Sequence, residues 1–344
     1  MNTYRIGWAL CCLSWTLSAG AQTGGEVRQA AVGASQTTAG ASQAIGASFT
    51  VVPLGVRGGL DESNLSAYML ASAGSDDYIC MDAGTLYAGI RKAVDNGVFT
   101  SPVSHVLKNN IKAYFISHPH LDHVAGLIIN SPDDSAKTIY GLPFCLDVLR
   151  DKYFTWESWA NFADDGEKPL LKKYHYAPLS PGEEMAIPHT PFYVKAYPLS
   201  HGAPYQSTAF LVRKGDADNG AYMLYLGDTG ADTVEHSDKL QLLWQGIAPL
   251  VRAGRVKGIF IEVSFPDEQP EKLLFGHLTP GLLMKELAVL GKLAGVNALR
   301  GLPIVITHEK PSGNQEATIR RELEAYHSLP VKLVFPEQGK RLYF

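Results

Sequence analysis

Cysteine is scarce in this sequence of 344 residues: there are 4, and Cys11 and Cys12 fall in an apolar N-terminal segment. At most one disulfide is therefore available to the rest of the chain, between Cys80 and Cys145. An oxidising compartment would permit that bond, but the sequence does not show whether the two Cα atoms come close enough.

The chain also lacks an excess of basic side chains. Its 30 lysines and arginines face 34 aspartates and glutamates, so the formal net charge is -4. This charge argues against duplex nucleic acid as the main partner, because no positive field attracts a polyanion. Hydrophobic residues make up 46% of the sequence, which is ordinary for a globular protein. We expect one large domain whose layers share a core.

The N-terminal apolar segment, residues 6–17, is too short to span a membrane comfortably. It follows Arg5 and precedes the small residues 19–21, an order that is typical of a secretory signal peptide. We therefore expect residues 1–21 to be removed and the mature protein to be periplasmic or secreted, without a stable membrane span. An uncleaved anchor is the alternative interpretation.

Large apolar residues are almost absent from residues 22–47, which are rich in Gly, Ala, Ser, Thr and Gln. Such a segment cannot offset the entropy lost on ordering it. We predict a flexible low-complexity spacer at 22–47, followed by a folded domain at 48–344.

What the sequence does contain is a dense cluster of histidines. His118, His120 and His123 fall within six positions, together with Asp122, directly after the apolar run 111–116. Neutral imidazole is the commonest metal ligand, and a neighbouring carboxylate suits Zn²⁺ or a similar divalent ion. A lone His-x-His pair occurs on ordinary surface strands, but this denser run indicates a metal site.

Other candidate ligands lie just past the ends of predicted strands. This placement is typical of functional residues, because loops carry function on the rigid scaffold that strands provide. We predict strands at 78–81, 113–117, 193–199, 222–226 and 304–307, which are followed by Asp82, His118, His201, Asp228 and His308.

This ordered series of residues resembles the metallo-β-lactamase superfamily from about residue 51 to the end of the chain. The resemblance implies an α/β fold, an αββα sandwich with a two-metal site at one edge of the β layers. More narrowly, residues 118–127 resemble the signature of the class II 3′,5′-cyclic nucleotide phosphodiesterases. The segments Ile-Glu-Val-Ser-Phe-Pro at 261–266 and Phe-Gly-His-Leu-Thr-Pro at 275–280 support the narrower match.

The resemblance assigns two divalent ions, expected to be Zn²⁺ or similar, to seven side chains. The first ion is assigned to His118, His120 and His201, and the second to Asp122, His123 and His308. Asp228 is assigned as the carboxylate that bridges the two ions. Two such ions can share one water, lower its pKa and clamp the attacking and leaving oxygens of a displacement at phosphorus. Asp122 would also orient the nucleophile.

Four further positions are weaker candidates. His277 could protonate the departing oxygen or hold a phosphoryl oxygen, although a structural role in its loop is the alternative. Asp82 is expected to orient a ligand loop as a hydrogen-bond acceptor rather than to contact a metal, and a plain turn-forming aspartate is the alternative. Glu262 has either a similar supporting role or a purely structural one. Arg57 is a candidate phosphate contact, and Gly58-Gly59 either lets the backbone approach the site or only makes a turn.

The stretch between residues 133 and 198 contains a group of aromatic side chains. Aromatics at such spacings commonly pack one face of a helix, so core packing is favoured. The alternative is a cap that stacks a purine above the metals. The residues concerned are Tyr153, Phe154, Trp156, Trp159 and Phe162.

The sequence therefore predicts an exported hydrolase that opens a 3′,5′-cyclic nucleotide, with cyclic AMP favoured, to the 5′-monophosphate. Hydroxide held by the two metals would attack phosphorus while the 3′ oxygen departs. The alternatives are another hydrolase on the same scaffold, acting on a lactam, a lactone or an RNA end, and a non-catalytic metal-binding protein of the envelope. The leucine at position 121 of the cluster, together with the segments around Glu262 and His277, disfavours the other hydrolase. A bridging Asp228 and a spare His277, which sequestration does not need, disfavour the metal-binding protein. The metal identity, the preference between cyclic AMP and cyclic GMP, the biological role and the oligomeric state, a homodimer included, stay open.

Overall fold

The computed structural model describes residues 46–344. The predicted leader at 1–21 lies outside the described residues, and so does the predicted spacer at 22–47 except for Gly46 and Ala47. The division of the chain at these points stays a prediction. The described part begins its first strand at Phe49.

Seven strands form the first sheet, in the order β14-β1-β2-β3-β4-β5-β6. Neighbours from β14 to β3 run antiparallel, and those from β3 to β6 run parallel. The strands are β1 (Phe49–Gly55), β2 (Ala67–Ser72), β3 (Tyr78–Met81), β4 (Ile111–Phe115), β5 (Lys137–Gly141), β6 (Tyr174–Pro178) and β14 (Leu342–Tyr343).

Seven further strands form the second sheet, in the order β13-β12-β11-β10-β9-β8-β7. Neighbours from β13 to β10 run parallel, and those from β10 to β7 run antiparallel. The strands are β7 (Glu184–Ala186), β8 (Phe192–Ser200), β9 (Gln206–Lys214), β10 (Ala221–Leu226), β11 (Val256–Glu262), β12 (Pro303–Thr307) and β13 (Lys332–Val334).

Helices connect the strands. The α-helices are α1 (Tyr87–Asp95), α2 (Val103–His105), α3 (Leu121–Asn130), α4 (Pro143–Val148), α5 (Asp232–Glu235), α6 (Lys239–Arg252), α7 (Pro280–Ala294) and α8 (Gln315–Ala325). Short π-helical turns occur at Val106–Asn110 and Leu149–Tyr153, and 3₁₀ turns at Glu271–Leu273 and Val296–Leu299. Between residues 46 and 344, no helix has both the length and the apolar character needed to cross a membrane.

Successive side chains of a strand point to opposite faces of its sheet and pack in different hydrophobic cores, which gives the layered architecture. In β1, Phe49 and Val51 belong to the core between the two sheets, whereas Val52 and Leu54 belong to the core under the helices of the first sheet. This is the period of two expected for a strand with both faces covered. A third core lies where α6 and α7 cover the second sheet, with Trp244 fully buried in it. The predicted αββα sandwich is confirmed.

The predicted strands are confirmed to within two residues at each end. The carboxyl ends of parallel neighbours lie at the same edge of a sheet. This applies to β3 and β4 in one sheet and to β10, β11 and β12 in the other. Strand β8 shares the direction of β10, since both are antiparallel to β9. The polar residues that follow these strands are therefore delivered to common edges.

Cys80 and Cys145 are both buried as free thiols. Burial raises the pKa of each thiol. The pairing that the sequence left open does not occur in this structure.

Candidate active site

The structure brings together all the side chains that the sequence analysis assigned to the first metal. His120 Nδ1 lies 3.1 Å from His118 Nε2 and 3.3 Å from His201 Nε2. His118 follows β4, His120 immediately precedes α3 and His201 follows β8. Three ring nitrogens at such separations form a donor set that fits one cation.

The second predicted set is also assembled. Asp122 Oδ2 lies 3.1 Å from His308 Nε2, and His123 completes a group of donor atoms that all lie within 4.8 Å of one another. Asp122 and His123 stand in the first turn of α3, where the helix N-terminus favours a carboxylate. His308 follows β12 in the other sheet, so this set joins the two layers.

Asp228 lies between the two sets, as a bridging carboxylate must. Its Oδ2 lies 3.2 Å from His308 Nε2 and 3.7 Å from His118 Nε2. Its Oδ1 lies 3.3 Å from His123 Nε2. The ligand roles of all seven residues stay predictions, but their positions are those that two cations sharing Asp228 would need.

The outer ring nitrogens are held by partners that turn the inner nitrogens toward the centre as acceptors. His201 Nδ1 donates to the Gly276 carbonyl at 2.9 Å, and a carbonyl can only accept, so His201 Nε2 carries the free electron pair. His308 Nδ1 similarly faces Ser264 Oγ at 2.9 Å. The buried Nε2 of His123 has Asp228 Oδ1 3.3 Å away, but the geometry does not make a hydrogen bond. A cation would satisfy these converging electron pairs, so the residues fit the metals that the fold implies.

Asp82 organises one side of this cluster. Its carboxylate accepts from the Ser117 backbone N–H at 2.7 Å, from Ser117 Oγ at 2.8 Å and from the Tyr225 hydroxyl at 2.7 Å. It also lies 2.8 Å from His123 Nδ1. Because the Ser117 hydroxyl proton goes to Asp82, Ser117 Oγ accepts from His118 Nδ1 at 3.0 Å. The prediction that Asp82 orients the ligand loop is confirmed; sequence reasoning missed Ser117 and Tyr225.

Glu262 organises the opposite side. Its Oε1 lies 2.8 Å from His277 Nδ1, and its Oε2 accepts from Ser264 Oγ at 2.5 Å. Since Ser264 also contacts His308, Glu262 supports both histidines. The supporting role of Glu262 is therefore favoured over a purely structural one. Helix α7 fixes this loop, because Thr279 caps its N-terminus and Pro280 occupies its first position.

The pKa values of His118 and His120 differ in direction from that of His277. Burial and the neighbouring histidines lower the pKa of His118, and burial with repulsion from His201 lowers the pKa of His120 to about 4. Both rings are thus neutral, which is the form that binds metal. Burial alone would lower the pKa of His277, but the Glu262 carboxylate outweighs it and raises that pKa. His277 is thus better able to hold a proton.

His123 shows that the centre favours positive charge. Burial alone would lower its pKa, yet the carboxylates of Asp228 and Asp82 raise it well above its usual value. In the absence of a cation, a proton on His123 is the charge that these carboxylates draw in. A divalent ion supplies that charge more fully.

Gly58 and Gly59 let the backbone approach the cluster. A Cβ on Gly58 would lie 2.2 Å from His308 Cε1, and the Gly59 N–H donates to Asp122 Oδ2 at 2.9 Å. This outcome supports the close-approach interpretation of the two glycines. Arg57 does not serve a phosphate here, because its guanidinium pairs with Asp61 and Glu316, each at 2.8 Å.

The aromatic group of residues 153–162 divides between core and surface. Phe154 is fully buried in the core, which rules out a stacking role for it. The Tyr153 hydroxyl donates to the Pro119 carbonyl at 2.9 Å and so supports the ligand loop. Trp156 and Trp159 are partly exposed, and their indole N–H groups donate to Pro169 O and Ser131 Oγ.

One aromatic residue beside the centre was missed by the sequence analysis. The ring of Tyr205 lies 4.9 Å from the ring of His120, edge to face, and the side chain is 60% exposed. The signal that could have found it is its position, four residues after the predicted ligand His201 and directly after Pro204.

Two β-sheets between helical layers, with histidine and aspartate clusters at the strand ends, define the metallo-β-lactamase fold. The chain is similar to unliganded yeast PDE1, with a TM-score of 0.76 and 24% identity over 87% of this chain and 100% of that one. It is also similar to YhfI, a metallo-β-lactamase fold protein of Bacillus subtilis, with a TM-score of 0.55 and 17% identity over 86% and 99% of the two chains.

The family is narrower than the fold. The family model for class-II cAMP phosphodiesterases matches residues 94–334. The 3′,5′-cyclic-nucleotide phosphodiesterase of Aliivibrio fischeri is 42% identical over 311 residues, which cover 86% of this chain and 93% of that protein. The cAMP/cGMP-dependent 3′,5′-cAMP/cGMP phosphodiesterase A of Dictyostelium discoideum is 29% identical over 377 residues, which cover 85% and 80%. The chain belongs to the class II cAMP phosphodiesterase family, as its sequence signature predicts.

Proposed function

We propose that this protein is a metal-dependent 3′,5′-cyclic-nucleotide phosphodiesterase that converts cyclic AMP to 5′-AMP. The observation that carries the proposal is the position of Asp228 between two complete donor sets, with the His277–Glu262 pair beside them. Family membership supports this substrate class over a lactam, a lactone or an RNA end, because the relatives named above are cyclic-nucleotide phosphodiesterases.

Two divalent ions, Zn²⁺ by preference for an imidazole-rich set, would be held by the residues described above. When bound, they would lower the pKa of water and offset negative charge at phosphorus. The protein's own contribution is to fix the donors. The Gly59 N–H orients the Asp122 carboxylate, and the Gly276 carbonyl orients the His201 ring.

The reaction breaks one P–O bond and forms another. A water oxygen bonds to phosphorus and gives up one proton, the bond from phosphorus to the 3′ oxygen breaks, and that oxygen takes up one proton. His277 is the residue we propose to donate it: Glu262 holds Nδ1 and favours the protonated ring, so Nε2 is the nitrogen that would donate to the leaving group. The product is the 5′-monophosphate.

Parallel assays of the purified protein test the proposal. Cyclic AMP, a β-lactam and a generic phosphodiester are offered separately, and the nucleotide product is identified by chromatography. We expect 5′-AMP to accumulate, and Asp228→Asn to abolish its formation while retaining the fold. Turnover of the β-lactam without cyclic AMP, or release of 3′-AMP, would contradict the proposal.

The same proposal includes export from the cytoplasm, which rests on the residue order at positions 1–21. Expression of the full chain in a Gram-negative host, followed by fractionation and N-terminal sequencing, checks it. We expect a periplasmic or secreted product that begins at Gln22. A cytoplasmic product that retains residues 1–21 would contradict export without affecting the proposed activity.

A further inference from the structure

Four large apolar side chains are exposed on the loops and the helix start that carry or contact the candidate ligands. Leu60 is 74% exposed, Phe275 68%, Leu121 61% and Tyr205 60%. We call these four residues the apolar rim. Burying such side chains is normally favourable, so a group of them left exposed around one site indicates a binding surface.

Each rim residue is tied to a candidate ligand. Leu121 stands between His120 and Asp122 in the sequence, and the Tyr205 ring contacts the His120 ring. Leu60 follows Gly59, whose N–H binds Asp122. Phe275 precedes Gly276, whose carbonyl accepts from His201. Each rim residue is therefore linked to the proposed phosphate site, Tyr205 by a ring contact and the other three by their position in the chain.

Two rim residues hold a backbone conformation that disfavours large side chains. Leu60 has φ 57° and Phe275 has φ 53°, both in the left-handed region. Such strain persists where surrounding contacts impose it and is concentrated at functional sites. Neither side chain gains burial in return, because both are among the most exposed apolar residues of the described chain. Both side chains are thus exposed and stand on a restricted backbone.

Close backbone packing locks the two loops that carry the rim aromatics. Gly276 has φ 79°, and a Cβ on it would lie 2.1 Å from Gly202 N. Tyr205 N–H donates to the Gly202 carbonyl at 3.0 Å, which holds Tyr205 in the same loop as the ligand His201. Tyr205 and Phe275 are therefore placed by the same contacts that place His201.

We propose, on the basis of the proposed function, that the apolar rim binds the nucleobase and that Tyr205 is the residue on which the base stacks. The donor clusters bind the charged end of a cyclic nucleotide, and the other end is a flat, uncharged aromatic ring that an aromatic face beside His120 can cover. The exposed aromatics of residues 153–162 are worse candidates, because their polar atoms bind backbone or Ser131 away from the donors.

The chemistry of the rim also determines its selectivity. Three of its four side chains carry no hydrogen-bonding group, and the proposed contact of the fourth, Tyr205, is made by the face of its ring. Stacking on apolar faces does not distinguish adenine from guanine, whereas a site that reads a base edge discriminates by several decades. The proposal therefore predicts that cyclic AMP and cyclic GMP differ by less than about tenfold in kcat/KM.

The experiment compares cyclic AMP with 1-deoxyribose 3′,5′-cyclic phosphate, which has the same ring and leaving group but no base. Tyr205→Ala should raise KM for cyclic AMP about 10- to 100-fold, with little change in kcat, and should leave the base-free substrate within about twofold. Tyr205→Phe should keep the wild-type KM, since it retains the ring. Trp156→Ala, at an exposed aromatic outside the rim, is the matched control and should change neither substrate.

Equal effects of Tyr205→Ala on both substrates, or a KM increase in Trp156→Ala alone, would overturn the proposal. So would a preference above about 100-fold between cyclic AMP and cyclic GMP in the wild-type protein. Failure of the proposed function is distinguishable, because the wild-type protein would then hydrolyse neither the nucleotide nor the base-free substrate.

Discussion

At the residue scale, Asp122 combines two proposed roles, as a metal ligand and as the group that orients the nucleophile. It is the one carboxylate of the second donor set, its Oδ2 accepts from the Gly59 N–H, and it lies 3.1 Å from His308 Nε2. Asp122→Asn removes a negative charge but keeps nearly the same shape. We expect kcat for cyclic AMP to fall by several orders of magnitude, because a ligand and an orienting group are lost together.

Two measurements serve as controls for the Asp122→Asn prediction. Circular dichroism should show that Asp122→Asn is folded, and Asp133→Asn, at an exposed carboxylate paired with Lys108, should retain full activity. A folded Asp122→Asn protein with near-normal kcat would show that Asp122 neither binds metal nor orients the nucleophile.

Glu262 sets the protonation of His277, and this effect has a definite sign. The native carboxylate raises the pKa of His277, so activity that needs the protonated ring extends to higher pH. Glu262→Gln removes the negative charge that raises the pKa of His277 but leaves the His277 ring buried, so this pKa falls. We expect the alkaline limb of the kcat profile to move to lower pH, with kcat at neutral pH reduced about 10- to 100-fold.

The pH–rate profile of the variant with cyclic AMP measures this shift. Glu286→Gln is a suitable control, because Glu286 is a buried carboxylate that accepts from Trp244 and lies away from the site. Its profile should match that of the wild-type protein. An unmoved alkaline limb in Glu262→Gln would mean that His277 is not the titrating proton donor.

At the scale of elements, the site depends on short connections that follow strands. The turn after β1 passes so close to the loop after β12 that a Cβ on Gly58 would lie within 2.2 Å of the His308 ring. We expect Gly58→Ala to displace His308, to lower the occupancy of the second metal and to reduce kcat. The remaining fold should survive, because neither sheet core is touched.

Elemental analysis of metal per chain, together with thermal unfolding, checks the Gly58 prediction. Gly254→Ala is the comparison, since Gly254 has φ 66° with open space around it. It should lose about 1 kcal/mol of stability through backbone strain and keep its metal. Full metal content and activity in Gly58→Ala would show that the loop has room to move.

At the scale of the whole molecule, the donor sets join the two sheets. His118, His120, Asp122 and His123 belong to the first sheet and its helix, whereas His201, Asp228 and His308 follow strands of the second. Bound metal should therefore stabilise the sandwich as well as support turnover. We expect a strong chelator to abolish hydrolysis of cyclic AMP and to lower Tm, and Zn²⁺ or a similar ion to restore both.

Activity and Tm, measured together, distinguish metals held between the sheets from a mechanism that needs no metal. Loss of Tm and activity together, with recovery of both, supports metals held between the sheets. Undiminished hydrolysis by protein that elemental analysis shows to be free of metal would contradict a metal-dependent mechanism.

Much of the fold and of the candidate site could be predicted because the signals are local. Apolar runs such as Tyr78–Met81 identify strands whatever their neighbours, and the spacing of His118, His120 and His123 is visible in six positions. The order of strand-end residues then identified the family. Local chemistry of this kind determines which residues can bind a metal, and the sequence alone carries it.

Tertiary structure decided what depends on distant segments meeting. Tyr225 reaches Asp82 across 143 positions and His201 reaches the Gly276 carbonyl across 75, so no spacing rule reveals either contact. Burial was undetermined for the same reason: Phe154 fills the core and Tyr205 stands exposed beside His120, although both are ordinary aromatics in the sequence. A side chain's type is a property of one position, but its exposure and its partners follow from how both sheets pack.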